Sequence, residues 1–318
     1  MTLSRMLYLT KCYLVPIVAC SISYAQSAAF AGKFRANAQL VLVPVTVTDH
    51  YGKTIEGLHG ENFTVLDDQA PQQIVAFSTE DAPCSVGLVL DVSGSMRDSL
   101  HQVKEITRAF LGAANPEDEF LLLTVSTNPE PISGFTNDVA VLEKNVESAR
   151  SGGSTALIDT VYLGLTRMRQ AKRPRRALLI LSDGMDNNSR YSKSELMRVA
   201  LEADVQIYTI TTDGIPSGTF PVRPAMVRKA WDRGSGEQNQ GRSLLEDLAD
   251  KTGGLHFRVS NDADATAAAM KAGQAIRNEY VIGYQPPGPG DAGKWHRVRV
   301  KLDVPRLNVY ARNGYYSR

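Results

Sequence analysis

The fold is decided by the stretch VGLVLDVSGS, which occupies residues 86–95. Its first five residues are apolar and predict a buried strand, and an amphipathic stretch that predicts a helix begins at Met96. The turn between them carries three oxygen-bearing side chains at a spacing of two, those of Asp91, Ser93 and Ser95. Oxygen atoms are the ligands that hard cations such as Mg²⁺ prefer. Since open α/β sheets bind ligands at the carboxyl ends of their strands, the turn predicts one part of a metal site.

Two downstream segments supply further oxygen ligands. The segment GGSTA, residues 152–156, begins a helical pattern and places the Thr155 hydroxyl at the start of that helix. The segment LLILSDG, residues 178–184, is a second apolar strand that ends in Asp183 and a glycine. In isolation each motif is better explained by helix capping or by an ordinary turn. Together, and each beside a strand or helix, they predict a metal site formed by Asp91, Ser93, Ser95, Thr155 and Asp183.

The region around these motifs alternates between strand and helix patterns. This alternation predicts an α/β fold with a doubly wound, mainly parallel sheet. Further strands are expected at 120–125, 177–181, 205–211 and 255–258, with a short edge strand at 132–135. Residues 213–241 are rich in Gly, Pro, Ser and Gln, with a short helix expected at 226–231, and form too long a segment for an ordinary connection. They are either a functional loop or a disordered insert.

Both ends of the chain show β patterns instead. Strands are expected at 40–48, at two places within 60–77, and at 280–284, 296–302 and 307–311. Because two or three strands alone are marginally stable in water, the simplest arrangement packs both groups into one small β-sandwich, with the α/β domain inserted between its halves. The expected boundaries are a signal peptide at 1–25, the two sandwich halves at 38–82 and 278–318, and the α/β domain at 83–277.

The three-part motif resembles the metal-ion-dependent adhesion site (MIDAS) of von Willebrand factor type A (VWA) domains, which has Asp-x-Ser-x-Ser, then Thr, then Asp. The whole arrangement is similar to the bacterial exported proteins called VWFA-related, first noted in acidobacteria, including the segment 63–68 and the endings at 283–284 and 314–316. The resemblance implies direct contacts from the hydroxyls, with Asp91 and Asp183 acting through water or as hydrogen-bond acceptors. Mg²⁺ is the expected cation, with Mn²⁺ and Ca²⁺ as alternatives, and an Asp or Glu carboxylate of a protein partner would complete its coordination.

The N-terminus predicts export. Residues 12–22 are mostly apolar, and Ser23-Tyr24-Ala25 fits a signal-peptidase cleavage pattern. One alternative is lipoprotein processing, since residues 17–20 resemble a lipobox that would place a lipid on Cys20; another is an uncleaved signal anchor. Each version places the protein in the periplasm, in the cell envelope or outside the cell, and membrane contact is expected only through a lipid or an uncleaved signal. Cleavage would leave Cys84 without a disulfide partner.

Composition and motifs narrow the function further. With 35 Lys and Arg against 34 Asp and Glu, nothing in the net charge favours nucleic acid or an anionic membrane as partner. Ser93 or Ser95 as a nucleophile would need a base, and their turn is not the Gly-x-Ser-x-Gly elbow of hydrolases. We therefore expect a protein-binding module rather than an enzyme. The alternatives are a structural envelope protein with a passive metal site and a metal-assisted hydrolase. The sequence shows no second metal motif.

Overall fold

The computed structural model describes residues 40–79, 82–212, 244–286 and 292–317. The expected signal peptide, its Cys20 and the segment 213–241 with its expected helix lie outside the described residues. Within these four ranges, no helix is both long enough and apolar enough to span a bilayer.

The described residues form strands and helices in an order that is β-rich at both ends. The strands are β1 (Val41–Thr48), β2 (Phe63–Asp67), β3 (Ala70–Gln72), β4 (Ile74–Ser78), β5 (Cys84–Asp91), β6 (Glu119–Val125), β7 (Glu130–Pro131), β8 (Arg175–Ser182), β9 (Gln206–Thr212), β10 (His256–Val259), β11 (Tyr280–Tyr284), β12 (Trp295–Leu302), β13 (Asn308–Ala311) and β14 (Gly314–Tyr316). The helices are α1 (Leu100–Gly112), α2 (Val139–Ser148), α3 (Leu157–Arg167), α4 (Lys193–Glu202), α5 (244–252) and α6 (Asp262–Arg277).

The middle of the chain forms a six-stranded sheet in the order β10-β9-β8-β5-β6-β7, which confirms the predicted α/β class. All neighbours are parallel except β7, which is antiparallel to β6. Every residue of β5 is buried, as expected for a central strand covered by helices on both faces. Side chains of α1, α2 and α6 join the core on one face, and those of α3, α4 and α5 join the core on the other. Because β5 and β8 are parallel neighbours in this sheet, their carboxyl ends lie side by side.

The strands at the two ends of the described chain form two four-stranded antiparallel sheets, ordered β13-β1-β11-β4 and β14-β12-β2-β3. Each sheet contains strands from before and after the α/β region. Val45 and Ile282 from the first sheet share one buried cluster with Val65 and Val298 from the second. The chain therefore builds this β region from both of its ends.

Three local expectations about strands were wrong. The edge strand lies at Glu130–Pro131 rather than at 132–135, because β6 pairs there and leaves Ile132 exposed. The segment 60–77 holds three strands rather than two, since β3 pairs with β2 whereas β4 pairs with β11 of the other sheet. Residues 314–316 form a strand of their own, which pairs with β12.

Candidate metal centre

Asp91 is the last residue of β5 and is fully buried. The backbone N–H of Ser93 donates to its Oδ1 at 2.9 Å, and the hydroxyl of Ser182 donates to its Oδ2 at 2.6 Å. Ser182 is the last residue of β8, the strand beside β5. The carboxylate is thus held on one side by its own turn and on the other by the neighbouring strand. Sequence reasoning missed Ser182, because its contact with Asp91 depends on the pairing of β5 with β8.

The turn after β5 places the hydroxyls of Ser93 and Ser95 next to each other. Their Oγ atoms lie 3.1 Å apart, and a single turn of 3₁₀ helix, Gly94–Arg97, follows Ser93. Ser93 is buried and Ser95 is exposed. Adjacent ligands around an octahedral Mg²⁺ with bonds of about 2.1 Å lie about 3 Å apart. The two hydroxyls therefore have a spacing that suits neighbouring ligands of one ion.

The glycines before Thr155 attach its loop to this turn. The N–H of Gly152 donates to the carbonyl of Val92 at 2.8 Å, and the N–H of Gly94 donates to the carbonyl of Gly153 at 3.2 Å. Gly153 has a φ of 79°, and a Cβ there would lie 2.8 Å from the hydroxyl oxygen of Thr127. A residue with a side chain would be strained at this position, so glycine is needed for the close approach.

Thr155 itself is held by the segment that follows β8. Its N–H donates to Oδ1 of Asn187 at 3.0 Å, and its carbonyl accepts from the N–H groups of Asn187 and Asn188, each at 3.0 Å. The Oδ1 of Asp186 accepts from the N–H of Ile158 in the first turn of α3 at 3.2 Å. Asp186, Asn187 and Asn188 thus position Thr155, which is 2% exposed, and the start of α3.

Asp183 follows directly after β8, and its Oδ1 accepts from the N–H of Met185 at 2.9 Å. The pKa of Asp91 is raised to about 6, chiefly by burial and in smaller part by repulsion from Asp183, while the hydrogen bonds from Ser182 and Ser93 oppose the increase. Two carboxylates thus face the same region from the ends of adjacent strands. In the described part of the chain, neither has an ion pair with a lysine, arginine or histidine.

The structure joins Asp91, Ser93 and Ser95 in one hydrogen-bonded turn and places Asp183 at the end of the adjacent strand. Thr155 lies in a loop that is hydrogen-bonded to the same turn. The donor set is two carboxylates and three hydroxyls, all oxygen, with negative charge that no described cationic side chain neutralises. Such a set suits a hard divalent cation such as Mg²⁺.

Comparison with known proteins identifies the same region. A family model described as the von Willebrand factor type A domain matches residues 86–185. A protein of Borreliella burgdorferi that is itself uncharacterised is 24% identical over an alignment of 198 residues, which covers 57% of this chain. The chain spans 55% of the length of that relative.

Similar solved structures include several with VWA domains. One is a von Willebrand factor type A protein from Catenulispora acidiphila, with 12% identity, a TM-score of 0.48 and coverage of 87% of this chain and 73% of that one. Another is the vWF domain of the type V pili tip protein Mfa5 from Porphyromonas gingivalis, with 13% identity, a TM-score of 0.45 and coverage of 62% and 95%. The PilB minor pilin of Streptococcus sanguinis has 13% identity, a TM-score of 0.47 and coverage of 63% of each chain. The family match over residues 86–185, on a mainly parallel sheet covered by helices, shows that this chain contains a von Willebrand factor type A domain.

Proposed function

We propose that this chain is an exported, non-enzymatic protein-binding module that captures a carboxylate of its partner through a divalent cation. The ligands would be Asp91, Ser93, Ser95, Thr155 and Asp183. The observation that carries the proposal is the pair of hydroxyls 3.1 Å apart, next to two carboxylates on adjacent strands. An Asp or Glu side chain of a protein partner would complete the coordination.

The chemistry follows from the kind of oxygen around the ion. Hydroxyl oxygens are neutral, so an ion that they contact directly keeps most of its positive charge and attracts a further anionic ligand. Mg²⁺ is the expected ion because it takes oxygen ligands and retains exchangeable waters, with Mn²⁺ and Ca²⁺ as alternatives. Asp91 is buried whereas Ser95 is exposed, so the partner would approach from the side of Ser95.

The contacts of the two serines favour binding over hydrolysis. Their hydroxyls interact with each other, and within the described ranges neither forms a hydrogen bond with a histidine that could act as a base. An alternative role is structural, in which the ion only braces the loops of an envelope protein. Export, with or without a lipid on Cys20, is proposed from the N-terminal sequence alone.

The first experiment is calorimetric titration of Mg²⁺ into the purified chain. We expect one site in the natural protein, loss of that site in Asp183→Asn, and normal binding in Asp98→Asn, which removes an exposed carboxylate close to the same turn. Equal Mg²⁺ binding by Asp183→Asn and Asp98→Asn would contradict the assignment of the site.

The second experiment tests capture of a partner. Proteins from the native envelope are passed over the immobilised chain in Mg²⁺ and in chelator, with Asp183→Asn as control. A partner retained only by the natural chain in Mg²⁺ supports the proposal. Equal retention in Mg²⁺ and chelator refutes it. A higher unfolding temperature in Mg²⁺, together with no protein retained only in Mg²⁺, would instead favour the bracing role.

A further inference from the structure

A second group of metal-ligating side chains lies in the β region built from the chain ends. Asp67 ends β2, Asp68 begins the turn into β3, and His296 lies on β12, which pairs with β2. The Nδ1 of His296 is 3.1 Å from Oδ2 of Asp68 and 3.6 Å from Oδ1 of Asp67. One ligand atom from each residue lies within 4.8 Å of the other two. We call this group, Asp67, Asp68 and His296, the β-region cluster.

One carboxylate oxygen of Asp67 points into this cluster without a hydrogen bond. Asp67 is 4% exposed, and its Oδ2 accepts hydrogen bonds from the hydroxyls of Tyr284 and Tyr315, each at 2.9 Å. Its Oδ1 is buried and has no hydrogen-bond partner among the described residues. A buried carboxylate oxygen that has lost its water without gaining a donor or a cation is unfavourable. The Nδ1 of His296 lies 3.6 Å from this oxygen.

The surrounding residues hold all three side chains in this orientation. The ring of Tyr315 stacks on the imidazole of His296, with centroids 5.2 Å apart and planes inclined by 17°. The N–H of Arg297 donates to Oδ1 of Asp68 at 2.9 Å, which leaves Oδ2 facing the imidazole. Outer contacts of this kind fix the orientation of metal ligands.

The hydrogen bonds from both tyrosines end on the same carboxylate oxygen. The hydroxyls of Tyr284 and Tyr315 donate to Oδ2 of Asp67, so Oδ1 is the oxygen that has no donor among the described residues.

We propose that the β-region cluster binds a divalent transition-metal ion, Zn²⁺ being the expected one, through Asp67 Oδ1, Asp68 Oδ2 and His296 Nδ1. Ligand atoms bound at about 2.1 Å lie about 3.0 to 3.5 Å apart in octahedral or tetrahedral sites. The two distances from His296 Nδ1 to the carboxylates, 3.1 and 3.6 Å, are close to this range. An imidazole among the ligands favours Zn²⁺ over Mg²⁺. The exposed carboxylate of Asp68 leaves a path for the ion and room for water as a further ligand.

The ion would stabilise the pairing of β2 with β12. These strands come from opposite sides of the α/β region in the sequence, and the cluster lies at the end of their ladder, where Asp67 is paired with Val298. An ion that binds both strands only when they are paired stabilises the folded state by mass action. A bound ion would therefore link β2, which precedes the α/β region in the sequence, to β12, which follows it.

The test is titration of Zn²⁺ into the full chain in excess Mg²⁺, followed by calorimetry and by thermal unfolding. We expect binding of one Zn²⁺ and a higher unfolding temperature. Affinity should fall at least about tenfold in Asp68→Asn and in His296→Gln. The control His59→Gln removes an exposed histidine of the same β region and should bind Zn²⁺ normally. Excess Mg²⁺ occupies the oxygen-only site proposed in the α/β region, so that Zn²⁺ binding there does not contribute to the titration.

Two outcomes would overturn this proposal. One is the absence of Zn²⁺ binding by the natural chain, which would mean that His296 interacts only with the two carboxylates. The other is unchanged Zn²⁺ affinity in Asp68→Asn. This variant keeps an amide oxygen that can accept from Arg297, so it is expected to fold, and circular dichroism checks that it does. Co²⁺ absorption in the natural chain gives an independent sign of nitrogen ligation.

Discussion

Replacement of Glu279 by glutamine should remove a pH dependence of stability. Glu279 is 5% exposed and lies between the end of α6 and the start of β11, where the chain passes from the α/β region into the β region. Its Oε1 accepts a hydrogen bond from the hydroxyl of Tyr208 at 3.1 Å, and its carbonyl accepts from Arg175 at 3.4 Å. Burial raises the pKa of Glu279 to about 7, although Arg175 and the Tyr208 hydroxyl act in the opposite direction.

The sign and size of the effect follow from this pKa. A pKa of about 7 in the fold, against 4.5 ordinarily, means that the folded chain binds the proton more tightly than the unfolded chain. The resulting stability is fully present below about pH 4.5 and is lost as the pH rises through about 7. At about 1.4 kcal/mol for each unit of pKa, the loss between about pH 5 and pH 8 is roughly 2 to 3 kcal/mol.

The assay is urea unfolding of the natural chain and of Glu279→Gln at about pH 5 and pH 8. Glutamine has no proton to lose, so its free energy of unfolding should change less over this range. The difference between the two proteins should be roughly 2 to 3 kcal/mol, with the natural chain losing more at high pH. Parallel changes in both proteins would refute the reasoning, because the proton of Glu279 would then be bound equally in the folded and unfolded chains.

Three further predictions concern the α/β region. Leu179→Ala, which empties a fully buried position of β8, should lower the free energy of unfolding by about 2 to 5 kcal/mol in chemical denaturation; a loss below about 1 kcal/mol would contradict the packing. Gly153→Ala should weaken Mg²⁺ binding and cost about 1 to 2 kcal/mol of stability because of its positive φ, whereas Gly112→Ala, where a Cβ meets nothing within 4 Å, should cost no stability. Since the pKa of Asp91 is about 6, Mg²⁺ affinity measured by calorimetry should be roughly tenfold lower at about pH 5 than at about pH 8; an affinity independent of pH would contradict this coupling.

The central sheet could be predicted from sequence because its strands are buried on both faces. The runs 86–90 in β5 and 177–181 in β8 are entirely apolar. A carboxylate comes at the carboxyl end of each strand, since Asp91 is the last residue of β5 and Asp183 directly follows β8. The turn after β5 was equally predictable, since Asp91, Ser93 and Ser95 interact within five residues of one another. In this turn the residues that form the sequence pattern are also the residues that contact one another, so the pattern alone was enough to predict it.

Features that depend on long-range pairing could not be predicted in this way. The chain changes sheets between β3 and β4, and no residue near Gln73 shows which strand each will join. The role of Ser182 in holding Asp91 arises only once β5 and β8 lie side by side. The β-region cluster is the extreme case, because its aspartates and its histidine come from opposite ends of the described chain and form no motif in the sequence.

The contacts of Asp91 also bear on how the proposed cation would be held. Each of its carboxylate oxygens already accepts a hydrogen bond from the protein, one from the N–H of Ser93 and one from the hydroxyl of Ser182. Asp91 therefore fixes the turn, and its negative charge would act on the proposed ion from behind the hydroxyls. Ser95 is exposed, and its described hydrogen bond is to the hydroxyl of Ser93. Neutral hydroxyls would then face the ion on the solvent side, where a partner carboxylate meets the least competing negative charge.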